Sequence, residues 1–135
     1  MSIRCACAAA LVITAAIHVA VVPEHLREWP AAAVVFVALA ALEGLLAVAV
    51  LARPSRSLLR WGTALSVASA VLWLMSRTVG LPLGPEAFSA EALGAPDVIA
   101  TSLEVLTALL FVTLLARPHA IATPAWAGAN GGTNA

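Results

Sequence analysis

The stretch AAAVVFVALAALEGLLAVAVLA, residues 31–52, holds one ionisable side chain, Glu43, in an otherwise apolar run. A helix needs about 20 mostly apolar residues to cross a hydrocarbon core about 30 Å thick. Lipid supplies no hydrogen bonds to the backbone, so a run of this kind reads as a membrane-spanning helix. Three more runs share its character, which sets the spans at about 6–22, 31–52, 58–78 and 97–116. The expected fold is all-α: a polytopic four-transmembrane-helix bundle over residues 1–119, with a short interfacial helix between spans one and two. The remainder, 120–135, ends Gly-Gly-Thr-Asn-Ala, has no apolar period and is expected to be a disordered tail on the cytoplasmic side.

Composition agrees with that reading. A chain of 135 residues that is 62% hydrophobic and 10% charged has too little polar surface to coat a soluble globule. Four spans with short connections leave no room for a soluble catalytic domain. Formal net charge is zero, whereas nucleic-acid binding calls for a basic surface, so no nucleic-acid partner is expected. Arg4 followed by an apolar run resembles a signal peptide. That run continues to Val22 with His18 inside it, and no Ala-x-Ala site precedes a polar segment, so it is read as a retained span.

The seven basic residues, all Arg, divide unevenly. Arg4, Arg53, Arg56, Arg60 and Arg117 fall on one side of the spans, and Arg27 and Arg77 on the other. The positive-inside rule then places both termini in the cytoplasm of a bacterial cell, with the chain in the inner membrane. Cys5 and Cys7 lie on that reducing side, too close in sequence for an unstrained disulfide, and read as small apolar fillers.

The two outer connections differ in kind. Pro23-Glu-His-Leu-Arg-Glu-Trp-Pro30 is bracketed by prolines and reads as one interfacial turn, with Glu24 and Glu28 on one face and Trp29 at headgroup level. The third connection is longer and opens Val79-Gly-Leu-Pro-Leu-Gly-Pro85, which punctuates a turn. Asp97 is placed at the N-cap of span four, where free amides and the helix dipole favour a carboxylate.

A rise of about 1.5 Å per residue turns position into depth. Taken from Val22, Asp97 and Pro30, His18 falls about 6 Å, Glu104 about 10 Å and Glu43 about 20 Å below the outer boundary. Thr14 and His18 share a face of span one; Ser66, Ser69, Trp73 and Ser76 follow a 3-4-3 spacing on span three; Asp97, Thr101, Glu104 and Ala108 do so on span four. Each seam is expected to face the bundle interior. A carboxylate near the bilayer centre costs about 2.5–3.5 kcal/mol on insertion scales, so Glu43 and Glu104 must each be paired, hydrogen-bonded or protonated. Glu43 has hydroxyls such as Ser66 at its depth and is treated as a separate intramembrane acid. Arg77 is expected to bridge Asp97 and Glu104.

These positions define a candidate ligand pocket of His18, His25, Glu28, Arg77, Asp97 and Glu104, walled by Trp29 and Trp73. His18, His25 and Glu104 are its metal candidates, because imidazoles and carboxylates projecting from several helices are how bundles build transition-metal sites. Arg77 could equally fork a small anionic ligand. No Gly-rich phosphate loop, His-Glu-x-x-His or Cys-x-x-Cys pattern is present, and no catalytic set stands out.

Pro23-Glu-His-Leu-Arg-Glu-Trp29, Arg77-Thr-Val-Gly-Leu-Pro82 and Pro96-Asp97 with Glu104 together resemble a family of small, uncharacterised four-helix membrane proteins of prokaryotes. In that family a Glu-His-x-x-Glu-Trp loop follows span one, an Arg-Thr-x-Gly-x-Pro turn ends span three, and an Asp then a Glu mark span four. The resemblance covers all four spans. It implies the topology and the outer polar cluster, and no activity. Members carry Gln in span two where this chain has Glu43.

The expected function is therefore binding: an extracytoplasmic-side pocket for a transition metal or small ligand, serving transport or a membrane redox complex. The alternative is a structural or accessory subunit, docked on a membrane-protein partner or a second copy, whose polar residues only specify packing. A membrane enzyme using Glu104 or Glu43 as general acid or base ranks third.

Overall fold

A computed structural model describes residues 2–117, and the expected tail at 120–135 lies outside them. The described residues form four helices: α1 (Ile3–Glu28), α2 (Pro30–Ala52), α3 (Arg56–Thr78) and α4 (Ala95–Leu115). Each is long and apolar enough to cross a membrane. Ser2 caps α1 by accepting from the Cys5 amide at 3.2 Å, and Ser55 caps α3 by accepting from the Leu58 amide at 3.1 Å.

Two boundaries differ from the sequence reading. Residues 23–28 form no separate interfacial turn, because α1 runs through Pro23 to Glu28. Proline removes one backbone donor, which neighbouring groups can offset in a long apolar helix. The chain reverses within Trp29 alone, whose extended backbone lets Pro30 open α2. Helix α4 starts at Ala95, so Asp97 is not the N-cap. It lies inside the first turn, and its Oδ2 reaches back to accept from the Gly94 amide at 3.2 Å.

Packing is uneven. Helix α1 lies between α2 and α4, α3 packs on α4, and α2 and α3 touch least. Near the start of α1 and the end of α4 an apolar core gathers Cys7, Leu11, Val50, Leu59, Phe111 and Leu114. Phe111 fits against Gly62 so closely that a Cβ there would stand 2.5 Å from its ring. Cys7 is thus core, whereas Cys5 is exposed; both are free thiols.

At the opposite end, residues 79–94 fold back on the bundle. The Glu91 amide donates to the Ser76 carbonyl at 3.0 Å. Gly84 adopts φ +101°, and Trp29 lies against it where a side chain would otherwise stand. That contact brings the α1–α2 turn and the α3–α4 connection to one end, as an up-down-up-down path requires.

Candidate metal centre

His18 of α1, Glu43 of α2 and Glu104 of α4 meet inside the bundle. One donor atom from each lies within 4.8 Å of the other two. Residue exposures are 5%, 1% and 2%, so the three are shut away from the surroundings. His18 Nδ1 and Glu43 Oε2 form a hydrogen bond of 3.1 Å. Ser66 and Ser69 of α3 stand beside the Glu104 carboxyl. Among the described residues, Glu43 Oε1, Glu104 Oε1, Ser66 Oγ and Thr107 Oγ1 are buried without a hydrogen-bond partner. Buried polar atoms are ordinarily paired, so a free acceptor on each of the two carboxyls, with the Ser66 hydroxyl beside one of them, calls for an explanation.

The register follows from helix geometry. His18 is ten residues from the last residue of α1, Glu43 thirteen from the first of α2 and Glu104 nine from the first of α4. At about 1.5 Å per residue these are depths of about 15, 20 and 14 Å, close enough for long side chains to meet. Counting span one only to Val22 had lifted His18 away from Glu43. The extension of α1 through Pro23 narrows the difference to about 5 Å, within reach of the two side chains.

The remaining candidates lie elsewhere. The His25 imidazole pairs through Nδ1 with the Val21 carbonyl of its own helix at 2.9 Å. Its ring packs at a tilt against Phe36, with centroids 4.4 Å apart, and the Phe36 ring in turn lies 5.5 Å from that of His18, so both histidines contact one aromatic ring. Glu28 is exposed at the end of α1.

Arg77 forms a second cluster. Its guanidinium donates to Glu91 Oε2 at 2.7 Å, to the Ala92 carbonyl at 2.8 Å and to Asp97 Oδ2 at 2.8 Å. The expected contact with Asp97 is made, but the second carboxylate is Glu91, not Glu104. Nothing in the spacing of residues 79–94 singled out Glu91, because an irregular segment has no period from which to read a face. Trp73, one turn before Arg77, keeps its indole nitrogen buried and without a partner among the described residues.

The single outer pocket read from the sequence is thus two clusters, one at the helix ends and one about two turns deeper. The deeper one offers an imidazole and two carboxylates. Nitrogen and oxygen donors in that ratio suit first-row divalent ions such as Mn, Fe, Co or Zn. Soft Cu(I) prefers sulfur, and Ca prefers six to eight oxygens. Comparison with protein families, curated proteins and solved structures finds no match for this chain.

Proposed function

We propose that this chain is an integral membrane protein that holds a divalent transition-metal ion within the bilayer, between His18, Glu43 and Glu104. One observation carries the reading: three buried donors from three helices converge within 4.8 Å. Lipid supports the same reading energetically. Two carboxylates side by side repel, whereas a dication between them with a neutral imidazole leaves no net charge. Three protein ligands also leave a coordination position open, as in sites that take up a water or a substrate and unlike closed structural sites. The arginine distribution supports cytoplasmic termini in a bacterial inner membrane, with residues 79–94 on the outer side. The resemblance to the small four-helix prokaryotic family belongs to this reading and bears on its topology rather than its chemistry.

The second reading, an accessory subunit, is favoured by the direct His18–Glu43 hydrogen bond, which ties α1 to α2 with no ion. Elemental analysis separates the two. The detergent-purified chain, supplied with Mn, Fe, Co or Zn and then desalted, should retain close to one equivalent of metal. His18→Ala, Glu43→Gln and Glu104→Gln should each lose it while keeping the helical circular-dichroism spectrum. Absence of metal from the wild-type chain under every supplement would end the metal reading and leave the accessory one.

A further inference from the structure

We infer that the His18–Glu43–Glu104 cluster opens toward one membrane face only, the face carrying residues 79–94, through a polar seam closed by the Arg77 guanidinium. The metal reading bears on what travels this route, but the route itself stands on the layering of the bundle.

Three layers stack along the helix axes. On α4 they are marked by Asp97, Glu104 and Phe111, seven residues or about 10 Å apart. On α3 the same layers are Arg77, then Ser69 and Ser66, then Gly62 and Leu59. On α1 and α2 the cluster residues His18 and Glu43 are followed by Leu11, Cys7, Ala47 and Val50, away from the Trp29 turn.

The layer beyond the cluster, away from residues 79–94, is sealed. Phe111, Leu11, Leu59, Val50 and Cys7 are at or below 1% exposure, and the Phe111 ring fills the notch that Gly62 leaves. The buried Thr14 and Thr107 hydroxyls are the last polar side chains before it, and an ion or water crossing the layer itself would have only these apolar side chains around it.

In the other direction polar groups recur at each turn of α3: Ser66, Ser69, Trp73, whose buried Nε1 has no partner among the described residues, and Arg77. At the end stands Arg77, joined to Glu91, Ala92 and Asp97. Glu91 and Ala92 belong to the irregular segment, whereas Asp97 belongs to α4. Arg77 therefore pins 79–94 across the end of the seam. Charge-assisted bonds are strong, yet Glu91 is half-exposed, so this closure can open without disturbing the core.

The test uses impermeant methanethiosulfonate on the full-length chain in vesicles, with Cys5→Ala and Cys7→Ala removing the native thiols. Ser57→Cys and Ala87→Cys report the two faces, and Ser69→Cys reports the seam. Reagent on the face that labels position 87 should label position 69 slowly, and reagent on the face that labels position 57 should leave it untouched. Arg77→Gln should speed labelling of position 69 by at least about ten-fold, as expected on loss of charge-assisted bonds. Glu91→Gln should do so more weakly, which guards against an Arg77 variant that fails to fold.

Labelling from the position-57 face would overturn the inference. So would a position 69 that stays unreactive in both Arg77→Gln and Glu91→Gln, or a rate that neither changes. Preloading with Co should slow the labelling. Failure of that protection alone, with the one-sided pattern intact, counts against the metal reading and not against the route.

Discussion

His18 and Glu43 hold each other at 3.1 Å from neighbouring helices, and their substitution distinguishes a strut from a site. Hydrogen bonds between helices in lipid average about 0.6 kcal/mol, so a pair kept only for stability contributes little. Removing one member is a different matter, because it strands the other in a buried place. His18→Leu alone should lower stability by about 1–3 kcal/mol, the cost of an unsatisfied buried group. The triple change His18→Leu, Glu43→Leu and Glu104→Leu strands nothing, and apolar replacement of buried charged groups is often neutral or stabilising. We expect it to match or exceed the metal-free wild type in unfolding from mixed micelles, while retaining no Mn, Fe, Co or Zn. A triple variant less stable than each single variant would show that these residues are there to hold the helices together. Much of this cluster could be read in the sequence as three ionisable groups in apolar surroundings. That Glu43 joins His18 could not, since it turns on where α1 ends.

The ends of α1 and α4 show why element boundaries escaped a reading by composition. Pro23 and Pro30 bracket six polar or interfacial residues, the usual punctuation of a turn, yet an apolar helix already formed to Val22 can carry on through one proline. The four helices themselves were plain, because lipid admits so few alternatives. What no periodicity announces is how closely two of them approach. Gly62 of α3 lets α4 bring the Phe111 ring into the volume a methyl would need, with a built Cβ at 2.5 Å. Gly62→Ala must push α3 and α4 apart or force Phe111 from its rotamer, at about 1–3 kcal/mol for overpacking. Thermal unfolding in detergent should reveal that loss, whereas Gly44→Ala, with nothing within 4 Å of its Cβ, should leave stability unchanged or slightly raised. Equal effects at the two positions would mean that helix propensity, not the Phe111 contact, decides.

At the scale of the whole molecule the question is which way up the bundle stands. An up-down-up-down path puts the start of α1, the α2–α3 connection and the end of α4 at one end, and the Trp29 turn with residues 79–94 at the other. Arg4, Arg53, Arg56, Arg60 and Arg117 all lie at the first end, against Arg27 and Arg77 at the second. Arg77 weighs less than its formal charge, because Glu91 and Asp97 both bind it. Arg27 shares its helix end with Glu24 and Glu28. The short connections are the setting in which such a bias governs orientation. Alkaline phosphatase fused after Ala87 should therefore be active in a bacterial host, and the same enzyme fused after Arg117 inactive, with a cytoplasmic fluorescent reporter giving the reverse pattern. The outcome decides the supply of any ion that reaches Glu104 along the Arg77 seam: the periplasm if the pattern holds, the cytosol if it is inverted. Reversal would leave the four helices and their cluster intact, but the proposed route to the cluster would then open on the cytosol instead of the periplasm.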